Sequence, residues 1–278
     1  MKIMVNGLPG NVATIMAAAV LKDPRFELVP HSLTGPDIDQ PTVQVEGPEG
    51  RVDVELIRPQ VRDEKIAQIL SQYPGAMAID YTHPSAVTGN VQFYATQGIP
   101  FVMGTTGGNP GELEALVNQG NTPAVIAPNM AKQIVGFQAM MDHAAQNFPG
   151  LFEGYTLEIK ESHQKGKADT SGTARAMVGY FNQLGVDFSV KDIQQERDPA
   201  TQEKEWNIPK EHLGGHGWHT YTLTAPDGSS LFEFKHNING RDIYVAGTFD
   251  ALIFLRDKIT KNGPRGKMYS MLDVMNDK

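Results

Sequence analysis

A histidine, a lysine and a Ser-Gly-Thr turn lie close together in the second half of the chain. His163 and Lys167 are side chains that can supply a proton. The turn enters residues 173–185, whose pattern predicts a helix, and the free N–H groups at a helix N-terminus bind carboxylate or phosphate. The sequence therefore predicts an anion site with a proton donor beside it, built from His163, Lys167, Ser171, Gly172 and Thr173. Taken singly, each piece also fits a surface histidine, a solvated lysine or an ordinary helix N-cap.

A glycine turn near the start of the chain has a different chemistry. The turn lies between a predicted strand, residues 2–5, and a predicted helix, residues 12–21. A turn in this position presents backbone N–H groups and the positive end of the helix dipole to a pyrophosphate. Pro9 stands where the usual middle glycine would be, so an ordinary strand-to-helix turn is the alternative. The residues predicted to contact a dinucleotide here are Gly7, Gly10, Asn11 and Val12.

The end of the second predicted strand bears on the choice of nicotinamide cofactor. An acid there normally binds the ribose 2′-OH of NADH, and a basic residue accommodates the 2′-phosphate of NADPH. This stretch contains neither, but His31, Ser32 and Thr34 can hydrogen-bond a phosphate. NADPH is favoured, NADH stays open, and an exposed loop is the alternative.

Three further turns follow predicted strands. Ligands of open parallel sheets bind outside the carboxyl ends of the strands, which places these turns near a nicotinamide ribose. A flexible glycine turn is the alternative for the second of them. The residues predicted to contact the cofactor are Tyr81, Thr82, Gly104, Thr105, Thr106, Pro128, Asn129 and Met130.

The elements that position these residues fall into two groups. In the first, predicted strands alternate with helices, which indicates an α/β, Rossmann-type doubly wound parallel sheet. The strands are 2–5, 26–33, 76–82, 100–106 and 123–129, and the helices are 12–21, 61–70 and 85–98. A long helix over 132–147 follows.

In the second group, period-two alternation predicts an α+β domain with a mixed, largely antiparallel sheet. Its strands are 155–162, 217–224, 229–238 and 242–255, with a hairpin turn at 226–228 and a long loop over 192–217.

Composition excludes several functions. With no cysteine among its 278 residues, the chain has no disulfide, thiolate zinc site, iron–sulfur cluster or cysteine nucleophile. A net charge of −8 makes nucleic acid a poor partner. The apolar stretches are too short for a membrane span and the first residues do not resemble a secretory signal, so a cytoplasmic protein is predicted.

Together these motifs resemble the 4-hydroxy-tetrahydrodipicolinate reductase (dihydrodipicolinate reductase) family. The glycine turn, the three later strand-end turns, the segment from Glu161 to Ala174 and the stretch 241–255 all occur in family order. Many bacterial members have a second histidine where this chain has Gln164, and their loop is one residue longer. That departure, with Lys132-Gln133, is similar to the plant and cyanobacterial branch.

The resemblance implies that NADPH or NADH reduces 4-hydroxy-tetrahydrodipicolinate to tetrahydrodipicolinate in lysine and diaminopimelate biosynthesis. It implies that His163 is the general acid with Lys167 as its partner, and that residues 171–173 bind a substrate carboxylate. It further implies a dinucleotide-binding domain of residues 1–130 and 241–278, and a substrate-binding and oligomerisation domain of residues 131–240. The resemblance also implies a homo-oligomer formed through the sheet of the substrate domain, and no metal site is predicted.

Two other functions remain open from the residues alone. One is another two-domain NAD(P)-dependent oxidoreductase, related to aspartate or homoserine dehydrogenase. The other is a non-catalytic NAD(P)H-binding redox sensor, which would bind the cofactor without turnover.

Overall fold

The computed structural model describes residues 1–277 and divides into two compact units. The terminal unit comprises Met1–Lys132 and the chain from Tyr244 onward, and the inserted unit is Gln133–Ile243. Each unit has its own hydrophobic core. Within residues 1–277, no helix combines the length and the apolar character that crossing a membrane requires.

A six-stranded parallel sheet forms the centre of the terminal unit. Numbered in chain order, its strands are β1 (Lys2–Asn6), β2 (Glu27–Leu28), β6 (Met77–Asp80), β7 (Phe101–Met103), β8 (Ala124–Ile126) and β13 (Met268–Tyr269). Their order in the sheet is β13-β8-β7-β6-β1-β2. Every residue of β6 and β7 is buried, as expected for parallel strands covered on both faces. The strand order reverses at β1, which is where doubly wound sheets bind ligands.

Helices and a small second sheet complete this unit. The helices are α1 (Asn11–Lys22), α2 (Arg62–Gln72), α3 (Val87–Gln97), α4 (Pro110–Gly120), α9 (Met271–Asn276) and, apart from its first residue, α8 (Ile243–Thr260). The small sheet contains β3 (His31–Leu33), β4 (Thr42–Gly47) and β5 (Gly50–Ile57). Its central strand β5 pairs with β3 in parallel and with β4 antiparallel.

The inserted unit has a four-stranded mixed sheet with helices. Its strands are β9 (Thr156–His163), β10 (Gln194–Glu196), β11 (His216–Thr224) and β12 (Leu231–Asn239), in the order β10-β9-β11-β12. Only β10 runs parallel to its neighbour. The helices are α6 (Gly172–Gln183), α7 (Pro199–Lys204) and, apart from its first residue, α5 (Lys132–Asn147). One face of the sheet supplies Ile159, Tyr221 and Leu223 to the core with Met177 and Phe181 of α6.

The predicted fold class is confirmed, but the prediction of a strand over 242–255 is wrong. Those residues form most of α8. Apolar residues on nearly every side of this helix hide its 3.6-residue period, so the stretch resembles a buried strand. This helix packs closely on the rest of its unit: a Cβ on Gly247 would lie 1.9 Å from the backbone oxygen of Met130, a contact that the local sequence does not reveal.

Other elements also differ from the predictions. The strand predicted over 26–33 is two strands, β2 and β3, separated at Pro30, which has no N–H to donate. The hairpin of β4 and β5 and the helix α4 were not predicted. The segment predicted as a loop over 192–217 contains β10 and α7.

Candidate functional site

The turns that follow β1, β3 and β6 surround a cavity of about 700 Å³ within the terminal unit. This volume is typical of small-molecule and cofactor sites. The predicted contacts Gly7, Gly10, Thr34, Tyr81 and Thr82 line it. The cavity therefore brings together one residue or more from each of these three predicted turns.

The glycine turn is built for close backbone approach. Gly7 has a φ of +106°, and a Cβ there would lie 2.3 Å from the backbone oxygen of Tyr81. Gly10 occupies the N-cap of α1, and no side chain caps this helix end. The first N–H groups of α1, which include those of Asn11 and Val12, therefore remain for an anion at the positive end of the helix dipole. These features fit the pyrophosphate of a dinucleotide.

A fully buried carboxylate, Asp80, ties the strand ends together. Its Oδ1 accepts hydrogen bonds from Thr82 Oγ1 and Thr105 Oγ1, both at 2.8 Å, and from the Thr82 N–H at 3.1 Å. Its Oδ2 accepts from Tyr94 Oη at 2.7 Å and Asn90 Nδ2 at 3.0 Å. Burial and the adjacent Asp80 charge raise the pKa of Tyr94, so its phenol stays a donor. This network fixes Thr82 and Thr105, both predicted cofactor contacts, through their hydroxyl groups.

Contrary to the sequence prediction, the residues of β3 and the turn after it are not all free to contact a cofactor. Ser32 is fully buried, and its Oγ accepts from the Leu8 N–H at 3.3 Å, so its hydroxyl supports the glycine turn. Thr34 Oγ1 donates to the Leu8 oxygen at 2.6 Å. The His31 ring Nδ1 lies 2.9 Å from Glu55 Oε2, and Lys65 holds the other Glu55 oxygen and lowers the pKa of that carboxyl. The His31–Glu55 register of β3 and β5 therefore brings an acid beside the first residue of β3, and neither His31 nor Ser32 is among the residues that line the cavity.

Sequence reasoning also missed an arginine. Arg62, the first residue of α2, lines the same cavity. Its guanidinium lies 4.4 Å from the centre of the Phe93 ring, and its Nη1 donates to Asn90 Oδ1 at 3.2 Å. Arg62 follows β5, a strand that was not predicted, and belongs to no motif, so only the fold reveals its place in the cavity.

The remaining predicted cofactor contacts are placed by packing. A Cβ on Gly104 would lie 2.3 Å from the ring of Tyr81, whose Oη is 2.8 Å from Thr248 Oγ1. Burial raises the pKa of the Tyr81 phenol, which keeps it neutral. Asn129 Oδ1 accepts from the Ala131 N–H at 2.9 Å, between exposed Pro128 and buried Met130. Thr106 is exposed.

In the inserted unit, β9 ends at His163, and the loop 164–171 leads to α6. Lys167 lies in this loop, and its ammonium is 2.8 Å from Asp169 Oδ1. Ser171 is the N-cap of α6, and no side chain caps the helix. The Ser171 N–H donates to Glu161 Oε2 at 3.2 Å. No side chain therefore occupies the N–H groups of Gly172 and Thr173, the first two residues of α6.

His163 lies against a buried group of histidines. Its ring centre is 5.0 Å from that of His219, which stacks on His236 at 4.6 Å. Burial, reinforced by His219, lowers the pKa of His163 to about 3, and burial likewise lowers that of His236 to about 3. Without a bound anion, the imidazole of His163 is therefore neutral near pH 7.

Glu161 is the anion at the centre of this group. Its side chain is fully buried, which raises the pKa of the carboxyl, but His219, whose Nε2 lies 3.5 Å from Oε2, and the hydrogen bond from Arg197 outweigh burial and hold the pKa at about 2. Glu161, His163 and His219 present ligand atoms within 4.8 Å of one another, a donor set that transition metals bind. However, Arg197 Nη2 already lies 2.5 Å from Glu161 Oε1 and would repel a divalent cation. We therefore assign this carboxylate to Arg197 rather than to a metal.

A Rossmann-type sheet with an uncapped helix beside a cofactor-sized cavity, in a chain whose inserted unit carries a second uncapped helix, is typical of a nicotinamide-dependent oxidoreductase. Family sequence models described as dihydrodipicolinate reductase, N-terminus and C-terminus, match residues 1–130 and 134–275. The chain belongs to the dihydrodipicolinate reductase family, as its motifs predicted.

Curated relatives include plant and bacterial proteins. The chain is 41% identical to probable 4-hydroxy-tetrahydrodipicolinate reductase 2, chloroplastic, of Oryza sativa subsp. japonica, over 99% of this chain and 83% of that protein. Identity to 4-hydroxy-tetrahydrodipicolinate reductase 1, chloroplastic, of Arabidopsis thaliana is also 41%, over 99% of this chain and 78% of that protein. A bacterial relative from Herminiimonas arsenicoxydans is 31% identical over 71% of this chain and 72% of its own. The predicted similarity to the plant branch is confirmed.

A solved structure supports the fold. Dipicolinate-bound dihydrodipicolinate reductase from Paenisporosarcina sp. TG-14 superposes with a TM-score of 0.65 at 17% identity, covering 97% of each chain.

The prediction of a cytoplasmic protein is wrong by these comparisons. The plant relatives at 41 and 42% identity, from rice and Arabidopsis thaliana, are named chloroplastic. Composition and a few N-terminal residues describe solubility and do not specify a compartment.

Proposed function

We propose that this protein uses NADPH or NADH to reduce 4-hydroxy-tetrahydrodipicolinate to tetrahydrodipicolinate in lysine and diaminopimelate biosynthesis. The observation that carries the proposal is the loop 164–171, which places Lys167 between His163 and an uncapped helix N-terminus at Gly172. The terminal unit would bind the dinucleotide at its cavity, and the inserted unit would bind the dicarboxylate.

The chain's own residues have defined tasks in this reaction. When bound, the nicotinamide supplies a hydride. Hydride addition increases electron density on the unsaturated ring, so a proton donor must stand beside the carbon that becomes protonated. Lys167 holds a proton in its ion pair with Asp169. Gly172 and Thr173 orient a carboxylate with their N–H groups, at the end of α6 where the dipole favours negative charge.

The proposed role of His163 follows from its burial. Its imidazole is neutral in the free protein, because burial disfavours the cation. A substrate dianion bound beside it favours the charged form, so substrate binding and proton uptake by His163 are coupled. His163 would then act as an acid only when substrate is present.

The direct test is an oxidation assay. NADPH and NADH are each supplied with the product of dihydrodipicolinate synthase generated in situ, and absorbance of the reduced nicotinamide is followed. Loss of absorbance only when the synthase product is present supports the proposal. Cofactor binding without turnover would contradict it and would favour a non-catalytic sensor.

We expect Arg62→Gln to weaken NADPH binding about tenfold and NADH binding far less, because a hydrogen bond to a charged group contributes roughly 1.5 to 3 kcal/mol. Arg62 lines the same cavity as Thr34, and we propose that it pairs with the 2′-phosphate. Titration calorimetry with each cofactor measures the effect. Arg58→Gln is the matched control, since Arg58 is exposed and lies 3.6 Å from Asp39. Equal losses for both cofactors would remove Arg62 from the 2′-phosphate site.

Thr173→Val keeps the side-chain shape but removes the hydroxyl, and we expect the Michaelis constant for substrate to rise about tenfold, the effect of one lost charge-assisted hydrogen bond. Inhibition by pyridine-2,6-dicarboxylate should weaken in parallel, with NADPH affinity unchanged. Thr170→Val is the matched control, because the Thr170 hydroxyl accepts from Gln195 Nε2 at 2.8 Å. An unaltered inhibition constant in Thr173→Val would show that the turn is only a helix start.

The outer face of the sheet in the inserted unit supports a proposed homo-oligomer. This face is polar, and both tryptophans of the chain, Trp206 and Trp218, lie on it. Glu158 and Lys160 form an ion pair of 2.8 Å there, and a face that carries both signs of charge can meet its own copy across a two-fold axis. Sedimentation should show an oligomer for the parent protein and a monomer for Thr220→Lys, with red-shifted tryptophan emission. A monomeric parent protein would contradict the proposal.

A further inference from the structure

The loop 164–171 needs anchors that the catalytic residues do not themselves supply. Residues 165 and 166 are exposed and Lys167 is partly exposed, so packing does not hold the middle of the loop. Its two ends are His163, the last residue of β9, and Ser171, the N-cap of α6. A proton donor displaced by about 1 Å can lose two orders of magnitude in rate. The groups that fix this loop therefore bear directly on turnover.

Glu161 anchors both ends of the loop. Since side chains alternate along a strand, Glu161 and His163 share one face of β9. Oε2 of Glu161 accepts the Ser171 N–H at 3.2 Å, and Oε1 lies 3.8 Å from His163 Nδ1. One fully buried carboxylate thus contacts the residue before the loop and the residue that starts α6.

Arg197 anchors the middle of the loop. It follows β10, which pairs with β9 so that Gln195 lies opposite Glu161. Its Nη2 donates to Glu161 Oε1 at 2.5 Å, and its Nε donates to the backbone oxygen of Lys167 at 3.0 Å. The guanidinium also donates to the Glu196 oxygen at 3.0 Å. A planar guanidinium can make these contacts simultaneously because its donors have a fixed fork geometry.

We propose that the buried Glu161–Arg197 ion pair is a positioning unit for the proposed reaction, holding His163, Lys167 and the start of α6 in one arrangement. Neither residue is assigned a contact with substrate. The inference rests on the proposed function and adds to it two residues outside the catalytic set. Because both residues are charged, the ion pair also affects the protonation of neighbouring groups. A contact that only packs would not do so.

The charges act on His163. The groups that face its ring are Glu161 of β9, His219 of β11, Arg197 after β10 and Lys167 of the loop. The Glu161 carboxylate favours the protonated imidazole, whereas Arg197 disfavours it. If protonated His163 is required, turnover falls as pH rises through its pKa in the substrate complex. Glu161→Gln should move that fall to lower pH, and Arg197→Gln should move it to higher pH.

Three variants separate geometry from charge. Arg197→Lys keeps the positive charge but lacks the fork that reaches Lys167, so turnover should fall about tenfold with an unmoved pH profile. Glu161→Gln keeps an acceptor for the Ser171 N–H, so this amide should stay protected from hydrogen exchange while the profile shifts. Glu161→Ala should lose that protection. Arg25→Gln, which breaks an exposed ion pair with Asp23, is the control.

The outcomes distinguish a positioning role of the ion pair from a role in fold stability alone. Turnover within about twofold of the parent in both Arg197→Lys and Glu161→Gln, with lowered melting temperatures, would show that the pair only stabilises the fold. Opposite shifts of the pH profile support positioning and cannot arise from stability alone. Hydrogen exchange of the Ser171 amide is read without substrate, so it tests the anchor even if the parent protein proves inactive on the proposed substrate. If the parent protein is inactive, the proposed function is rejected, and the anchoring role of Glu161 is judged from hydrogen exchange of the Ser171 amide alone.

Discussion

Replacing Lys167 by alanine is expected to lower turnover by about 10² or more, the scale assigned to a positioned proton donor. The ammonium of Lys167 is 2.8 Å from Asp169 and only 21% exposed, and the backbone beneath it is held by Arg197. Alanine removes the cation and leaves the backbone anchor intact, so the loss reports on the ammonium itself. His163→Ala should cause a loss of similar size, since the proposed acid is removed.

Cofactor binding provides the internal check. The residues that line the cavity all belong to the terminal unit, whereas Lys167 and His163 belong to the inserted unit. NADPH affinity, measured by calorimetry without substrate, should therefore be nearly unchanged in both variants. Lys191→Ala is the matched control, because Lys191 is an exposed lysine of the same unit. Parent-like turnover at saturating substrate in either variant would remove that residue from the proton-donating set.

Local patterning predicted the elements whose apolar period is clear. The helix predicted over 132–147 has the bounds of α5, and three predicted strands of the inserted unit correspond to β9, β11 and β12 within two residues. The stretch 242–255 was misassigned because its apolar residues lie on nearly all sides of α8. Its Gly247 packs against the backbone of Met130, far away in the chain, and this contact has no local sequence signal.

In the candidate site, too, residues in local motifs could be predicted, whereas residues brought in by long-range strand pairing could not. Gly7, Gly104 and His163 belong to motifs that occur next to strand ends, so the sequence reveals them. Glu55 reaches His31 only through pairing of β3 with β5, and Arg197 reaches Glu161 only through pairing of β10 with β9. Strand pairing over such separations has no local signal. The residues that hold the site were therefore missed, as was Arg62, whereas the proposed catalytic residues His163 and Lys167 were predicted from the sequence.

Gly7→Ala is expected to destabilise the terminal unit by about 3 kcal/mol and to abolish measurable NADPH binding. Two costs contribute. A φ of +106° is unfavourable for any residue with a Cβ, which costs roughly 1 to 3 kcal/mol, and overpacking costs about as much again. The added Cβ would lie 2.3 Å from the backbone oxygen of Tyr81, so the turn after β1 or the turn after β6 must move.

That movement affects the cofactor because both turns line the cavity. Displacing the turn shifts Gly10 and the first N–H groups of α1 away from the position of a pyrophosphate. Urea denaturation gives the stability loss, and calorimetry below the transition gives NADPH affinity. Gly179→Ala in α6 is the matched control: nothing lies within 4 Å of its added Cβ, so it should stabilise the protein by roughly 0.5 to 1 kcal/mol. Parent-like NADPH affinity in a folded Gly7→Ala protein would show that the glycine turn does not hold the pyrophosphate, and the anion site of the terminal unit would then have to include Arg62 instead.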